Sequence, residues 1–315
     1  MWNIPPEHVD ALRRAFPQHH FLHARDDNEA AELIGDAEVA FSSEIRPEQL
    51  AAAHRLRWIH SPAAGVGGML FPGMVASPVV VTNSRGLAAA TMAEHVLAVI
   101  LAMFRRLPLA IHRQAQHHWA QDEISAPPGN RMIGGATILV IGLGAIGTAV
   151  ATLMNALGAR VIAVRRNAAA GAPAAVSEVA PPEGLHKLLP KADVVIIAAP
   201  QTGATRGLIG RPELRAMPPH AILVNVSRGK LVDEEALIAA LRSGVIGGAA
   251  LDVFSHEPLS RDSPLWDMPN VLITPHTSGF RQDHWDAATA LFADNLRRYE
   301  SGEPLLNVVD KEAGY

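Results

Sequence analysis

Three polar segments in the second half of the chain contain side chains suited to carboxylate binding and proton transfer. Each follows an apolar run, and they span residues 225–234, 251–258 and 274–279. Arg228 presents a guanidinium fork that can bind the oxygens of a carboxylate or carbonyl group. His276 suits acid–base chemistry because its unperturbed pKa of about 6.5 lies close to working pH. Glu257, if within hydrogen-bond reach, would orient the imidazole and favour its charged form. Such a set could hold a 2-keto acid and deliver a proton to the alkoxide that forms when hydride adds to it.

A glycine-rich turn at residues 142–147 predicts where a dinucleotide binds. An unbroken apolar run precedes the turn, and a helix-compatible segment at 148–157 follows it, which is the setting that a Gly-x-Gly-x-x-Gly fingerprint requires. The first glycine permits the tight bend, the second lets a pyrophosphate approach the backbone, and the third allows the helix to pack on the strand. The amino end of the helix then faces the phosphates. The expected cofactor contacts here are Gly142, Gly144, Ala145, Ile146 and Gly147.

The end of the next strand bears on which dinucleotide is bound. An enzyme selective for NAD usually has Asp or Glu at this point to bind the ribose 2′-hydroxyl. This chain has Arg165 and Arg166 instead, and guanidinium groups suit the dianionic 2′-phosphate of NADP. We therefore expect NADP(H) to be preferred, with NAD(H) as the alternative if these arginines are only a solvated basic turn.

These segments require a parallel sheet to bring them together. Strands are predicted at residues 138–141, 161–164, 194–198, 222–226, 249–253 and 271–274. Helical segments lie between most of them, notably 233–242. Near-continuous apolar strands indicate a parallel sheet covered on both faces, as in a doubly wound dinucleotide-binding domain.

The first hundred residues predict a second, smaller α/β sheet. Its expected strands are residues 21–24, 39–42, 58–60 and 79–82, and its expected helices are 28–34 and 47–55. Strand–helix alternation implies parallel strands with helices packed on them. A helix is predicted at 91–107 and a final amphipathic one at 283–299. The loop at 61–68 has glycines whose backbone N–H groups could hold a carboxylate, although an ordinary turn is an equal interpretation.

Composition excludes several classes of protein. The 315 residues include 27 basic and 31 acidic ones, so there is no basic footprint for nucleic acid. Cysteine is absent, which excludes disulfides and thiolate chemistry and fits the cytoplasm. The amino terminus lacks the features of a signal peptide, and the apolar stretch at 87–104 contains Glu94 and His95, so a buried helix is expected rather than a membrane span. His117 and His118 lack further ligands at helical spacing, so no metal site is predicted.

Taken together, the motifs identify a resemblance that runs nearly end to end. Gly-Leu-Gly-Ala-Ile-Gly at 142–147, Asn-Val-Ser-Arg-Gly at 225–229, Leu-Asp-Val-Phe-Ser-His-Glu-Pro-Leu at 251–259 and Thr-Pro-His-Thr-Ser-Gly at 274–279 resemble the D-isomer-specific 2-hydroxyacid dehydrogenases. The resemblance implies two doubly wound parallel-sheet domains, with a Rossmann cofactor domain at 99–282 inserted into a flavodoxin-like substrate domain at 1–98 and 283–315. It also implies a homodimer joined through the helix that begins near Thr91 and the loop after it.

The resemblance also assigns roles to individual residues. It implies a catalytic Arg228–Glu257–His276 set, with His276 as the acid/base, and places Asp252 near the nicotinamide. The substrate carboxylate would be held by Arg228 and by backbone amides. The expected substrate contacts of that second kind are Ala64, Gly65 and Val66, and the further expected cofactor contacts are Thr91, Ala199, Pro200, Ser227, Asp252 and His276.

The sequence differs from the usual family pattern at Arg165, which shifts the expected cofactor towards NADP. The carboxyl-terminal residues 307–315 resemble the glyoxylate/hydroxypyruvate reductase branch, so those keto acids are the favoured substrates. Alternatives are a phosphite-type or other D-2-hydroxyacid dehydrogenase, or a non-catalytic dinucleotide-sensing interaction protein like the family's corepressors. For Trp119 and Trp285 the sequence leaves open the substrate pocket and the dimer interface, and core packing is the default interpretation of each.

Overall fold

The computed structural model describes residues 4–127 and 129–314. Its α-helices are α1 Pro6–Ala15, α2 Asp27–Leu33, α3 Pro47–Ala52, α4 Pro72–Ala76, α5 Ala89–Phe104, α6 Leu107–Ala115, α7 Gln121–Ser125, α8 Ala145–Ala156, α9 Leu185–Leu188, α10 Arg211–Ala216, α11 Glu234–Arg242 and α12 His284–Ser301. Its strands are β1 Val39–Phe41, β2 Trp58–Ser61, β3 Val80–Asn83, β4 Thr137–Ile141, β5 Arg160–Val164, β6 Glu178–Ala180, β7 Val194–Ile197, β8 Ile222–Asn225, β9 Gly248–Leu251 and β10 Val271–Ile273.

The described chain forms two compact units, and the second is inserted in sequence between the two parts of the first. The first unit runs to Leu87 and resumes at Arg281, and the second is Ala88–Phe280. The bounds expected from sequence were 98/99 and 282/283. The first of those would cut α5, but the whole helix belongs to the second unit because Val96 and Ile100 share a core with Val150 and Met154 of α8.

The second unit is built on a seven-stranded parallel sheet in the order β10-β9-β8-β7-β4-β5-β6. Its central strands are apolar except at Thr137 of β4 and Asn225 of β8, because alternate residues face opposite sides of a sheet that is covered on both. Leu139, Val195 and Leu223 enter one core, whereas Val140, Ile196 and Val224 enter the other. All these strands run in the same direction, so the loops that follow them lie at one edge of the sheet.

The first unit contains a three-stranded parallel sheet in the order β1-β2-β3. Helices α1 and α12 cover one face, where Leu12, Phe292 and Leu296 pack with Trp58. The predicted strand at 21–24 is wrong. The Phe21 carbonyl accepts a hydrogen bond from the Arg13 side chain at 3.0 Å, and residues of this segment and of β1 line a cavity of about 840 Å³ instead of forming a ladder.

The predicted fold class, α/β with two parallel sheets, is confirmed. Within the described residues no single helix is long and apolar enough to cross a membrane; α5 and α6 pass that test only as a pair, and they are bent by 67° relative to one another. In α5, Val96 and Ile100 are fully buried, as expected of a core helix.

Candidate active site

A direct hydrogen bond joins the predicted acid and its orienting carboxylate. His276 Nδ1 lies 2.6 Å from Glu257 Oε2, and Glu257 Oε1 accepts the backbone N–H of Phe254 at 2.9 Å. An ionised carboxylate only accepts hydrogen bonds, so Nδ1 carries the proton in this pair. The His276 side chain is 50% exposed, and its Nε2 makes no hydrogen bond within the described part of the chain. That nitrogen is therefore the one that can exchange a proton with a bound molecule.

Asp252, at the end of β9, fixes the loop that carries His276. Its buried carboxylate accepts the Thr274 hydroxyl at 2.6 Å and the backbone N–H groups of Thr277 at 2.9 Å and Ser278 at 3.0 Å. Its backbone carbonyl accepts the N–H of His276 at 2.8 Å. His276 has φ +54°, a left-handed conformation that costs a non-glycine residue about 1–2 kcal/mol. These hydrogen bonds hold the loop in that conformation.

Asp252 is ionised in this setting. Burial opposes ionisation, but the hydrogen bonds from Ser278, Thr274 and Thr277 outweigh it and hold the pKa of Asp252 below its usual value. A carboxylate that accepts several hydrogen bonds is stabilised in its charged form.

Arg228 lies in the loop after β8, and Asn225 shapes that loop. The buried Asn225 amide accepts the Ser227 N–H at 3.1 Å and donates to the Arg228 carbonyl at 3.0 Å. The exposed Arg228 guanidinium donates to the Ser227 carbonyl at 2.7 Å, and its remaining N–H groups make no hydrogen bond within the described residues. They can therefore bind an anion.

Gly229 brings the Arg228 loop against the loop that leads to Glu257. A Cβ at this position would lie 1.8 Å from the Phe254 carbonyl carbon and 2.0 Å from its oxygen. The next amide, that of Ser255, is held by the Glu234 carboxylate at 3.0 Å. Sequence reasoning did not single out Gly229 or Asn225 as functional; the signal was their place inside the Asn-Val-Ser-Arg-Gly motif.

The glycine turn has the features expected of a dinucleotide site. Gly142 has φ +101°, and a Cβ there would lie 2.7 Å from the Ala199 nitrogen. At Gly147 a Cβ would meet the Gly142 carbonyl at 1.8 Å, whereas at Gly144 it would meet nothing within 4 Å. Helix α8 begins at Ala145 with no side-chain cap, so its first N–H groups are open to a phosphate. These residues fit a nicotinamide dinucleotide.

The other predicted cofactor residues of the second unit lie at strand ends as well. Ser227 donates its hydroxyl to the carbonyl of Ala199, and Pro200 follows on the surface. Arg165 is half-buried and donates to the Gly171 carbonyl at 2.9 Å. Arg166 is exposed.

Four predicted residues belong to other segments of the chain than these loops. Thr91 lies in the first turn of α5. Ala64, Gly65 and Val66 belong to the first unit, where Ala64 and Gly65 are exposed and Val66 is a core residue. The Asn83 amide fixes this loop through the Ala64 carbonyl at 2.8 Å.

The default assignment of Trp119 to the core is wrong. Its side chain is 86% exposed, and its indole N–H donates to Gln121 at 3.1 Å. Trp285 is partly buried and meets the Phe41 ring edge-on, with centroids 6.3 Å apart. His118 forms an ion pair with Glu123 at 3.1 Å.

The chain matches known proteins over most of its length. The NAD-binding domain of D-isomer-specific 2-hydroxyacid dehydrogenases matches residues 97–278. Glyoxylate reductase of Thermococcus gammatolerans is 33% identical over 98% of this chain and 94% of its own. D-3-phosphoglycerate dehydrogenase of Mycobacterium leprae is 34% identical over 88% of this chain, which spans about half (51%) of that longer protein.

A solved structure agrees with the fold. The NADPH-dependent glyoxylate/hydroxypyruvate reductase of Sinorhizobium meliloti, in complex with NADP and sulfate, has a TM-score of 0.82 and 28% identity, covering 99% of this chain and 97% of its own.

A Rossmann sheet with an arginine and a Glu–His pair at its strand ends defines an NAD(P)-dependent oxidoreductase. The chain belongs to the D-isomer-specific 2-hydroxyacid dehydrogenase family.

Proposed function

We propose that the protein reduces a small 2-keto acid to the D-2-hydroxy acid with NADPH, and that glyoxylate or hydroxypyruvate is the favoured substrate. The observation that carries this proposal is the 2.6 Å contact between His276 Nδ1 and Glu257, which leaves Nε2 available to a substrate. The activities of the Thermococcus and Sinorhizobium relatives support the substrate class.

His276 is the proton donor. Glu257 accepts the Nδ1–H hydrogen bond and so keeps that nitrogen protonated throughout. The proton on Nε2 passes to the carbonyl oxygen of the substrate as that oxygen becomes an alkoxide. The histidine is left neutral with its remaining proton on Nδ1, and in the reverse reaction Nε2 accepts the proton of the alcohol.

Arg228 binds the carboxylate and the carbonyl oxygen of the substrate. Its fork geometry allows paired hydrogen bonds to such oxygens, and negative charge builds up on the carbonyl oxygen in the transition state. The bound nicotinamide would supply the hydride. Ala64, Gly65 and Val66 are proposed to assist by holding the carboxylate through backbone N–H groups.

The cofactor residues are also part of the proposal. They are Thr91, Gly142, Gly144, Ala145, Ile146, Gly147, Arg165, Arg166, Ala199, Pro200, Ser227, Asp252 and His276. The preference for NADP(H) over NAD(H) is supported by the two arginines after β5 and by the NADP-bound Sinorhizobium structure. Arg165→Asp should weaken NADPH binding strongly and NADH binding little, because a carboxylate repels the 2′-phosphate. Equal loss for both cofactors, measured by titration, would refute this role.

A kinetic panel tests the reaction itself. Glyoxylate, hydroxypyruvate, pyruvate and phenylpyruvate are each assayed with NADPH and with NADH, following cofactor absorbance, for the wild type and His276→Ala. We expect turnover with NADPH and a loss of about two to four orders of magnitude in kcat for the variant, the usual scale of acid–base catalysis. NADPH binding without turnover of any keto acid would favour the sensing role instead, and a fully active variant at neutral pH would contradict the acid assignment.

The proposed homodimer is supported by exposed apolar side chains on one stretch of the second unit. Ile111 of α6 is 64% exposed, Trp119 86% and Met132 74%, and exposed apolar patches mark protein–protein interaction sites. A cytoplasmic location stays a prediction.

A further inference from the structure

We propose that His95 is a positioning residue for the catalytic loop and acts through a one-directional chain of hydrogen bonds, from His95 to Thr274 to Asp252. The inference rests on the proposed role of His276 and adds to it a residue outside the motif that carries the chemistry. His95 lies on α5, whereas Thr274 and Asp252 follow β10 and β9.

The contacts set the direction of this chain. Thr274 Oγ1 lies 2.6 Å from Asp252 Oδ1 and 3.3 Å from His95 Nε2. Asp252 is ionised and can only accept, so the single hydroxyl proton of Thr274 points at Asp252. The Thr274 oxygen must then accept from His95, which therefore carries a proton on Nε2. The Asp252 carboxylate thus fixes the tautomer of His95 through the Thr274 hydroxyl, which lies between them.

Asp252 passes the constraint to the catalytic histidine. The Asp252 oxygen that accepts from Thr274 also accepts the Thr277 N–H at 2.9 Å, and the Asp252 carbonyl accepts the N–H of His276 at 2.8 Å. The imidazole is thus held at both ends, by Glu257 through the ring and by Asp252 through the backbone. His95 adds a third point of attachment, on a helix whose neighbouring residues Met92, Ala93 and Val96 are buried.

Removing His95 should loosen this loop rather than abolish the chemistry. We expect His95→Leu to lower kcat about 3- to 10-fold, less than the roughly 100-fold that can follow a full 1 Å misplacement, with little change in the KM for the keto acid. His95→Gln keeps an N–H donor and should recover most of the activity. His186→Leu, an exposed histidine paired with Glu213, is the control for loss of a histidine elsewhere in the same unit.

A double-mutant cycle separates this role from a general packing effect. Thr274→Val removes the hydroxyl that links His95 to Asp252, and Thr274→Ser restores it. If His95 acts through Thr274, His95→Leu should change kcat less than about 2-fold in the Thr274→Val background, since coupled positions are non-additive. An equal effect of His95→Leu in both backgrounds would overturn the proposal.

The ring nitrogens of His95 give a test that does not depend on turnover. In ¹⁵N NMR spectra of the full chain labelled at histidine, assigned with His95→Gln, we expect a protonated Nε2. A neutral ring with the proton on Nδ1 would refute the chain of hydrogen bonds. Full activity of His276→Ala would instead disprove the role of His276 as the acid, and it would leave the tautomer of His95 unchanged. Failure of the proposed function and failure of this inference are therefore distinguishable.

Discussion

Gly229→Ala should damage catalysis although Gly229 has no side chain that could act on a substrate. The added methyl would lie 1.8 Å from the Phe254 carbonyl carbon and 2.4 Å from the Ser255 nitrogen. Ordinary van der Waals contacts begin at 3.4 Å, so one loop must move by roughly 1.6 Å. The Phe254 amide holds the Glu257 carboxylate, so the displacement reaches the partner of His276. A misplacement of about 1 Å can cost roughly 100-fold in rate.

The assay measures kcat and KM with the best keto acid of the panel, and NADPH affinity by fluorescence titration. We expect kcat to fall about 100-fold with NADPH affinity kept within about 3-fold, since the glycine turn after β4 is untouched. The matched control is Gly134→Ala, whose new methyl would meet only the Leu157 carbonyl at an ordinary 3.5 Å and should be neutral. If thermal unfolding shows a folded Gly229→Ala protein with normal kcat, the coupling of the two loops is refuted.

Three further predictions test other parts of the molecule. Arg228→Ala should raise the KM for the keto acid and lower kcat as well, and Arg228→Lys should restore little activity because an ammonium group lacks the guanidinium fork. Steady-state kinetics that show an unchanged KM for both variants would contradict the binding of the carboxylate by Arg228. Burial lowers the pKa of His60 to about 4, below its value of about 6.5 in the unfolded chain, so protonation favours unfolding. The free energy of unfolding should therefore fall as the pH drops below about 6.5, by about 2 kcal/mol at pH 5. Urea unfolding of the wild type and of His60→Asn checks this, and an equal dependence of the unfolding free energy on pH in both proteins would refute it. Trp119→Ser should weaken the proposed homodimer, which sedimentation velocity would detect; a wild type that sediments as a monomer would exclude that interface.

The pairing of Glu257 with His276 could be predicted from sequence because of a simple topological rule. Polar residues that follow successive strands of one parallel sheet meet at the same edge, and both residues follow apolar runs. The packing of Gly229 on Phe254 could not be predicted in this way. This packing depends on how the loop after β8 crosses the loop after β9, and no local sequence pattern indicates that crossing.

The errors and omissions in the fold have physical causes too. Residues 21–24 contain Phe21 and Leu22, which suggested a strand. In the structure the Phe21 ring packs against the Phe16 ring, with centroids 6.5 Å apart, and Leu22 is 50% exposed. Strand β6 went unpredicted because it is only three residues long and lies at the edge of the sheet. Its side chains are only partly buried there, and the alternation of apolar and polar residues is too short to indicate a strand. Helix α1 was missed although Pro6 at its first position and buried Val9 and Leu12 mark it.

The residues proposed to act on the substrate are exposed, whereas the residues that position their loops are buried. Arg228 is exposed and the His276 side chain is 50% exposed, whereas Asn225 and Asp252 are each 1% exposed. Each buried residue ends or follows a strand and hydrogen-bonds the backbone of the loop that carries the exposed one, and Asp252 also accepts the Thr274 hydroxyl of that loop. A buried polar group with fully satisfied hydrogen bonds tolerates little substitution, because removing one partner leaves the others unpaired at about 1–3 kcal/mol each. Changes of substrate should therefore be reachable by substitution at exposed loop positions, whereas substitution of Asn225 or Asp252 should lower the rate for every substrate alike.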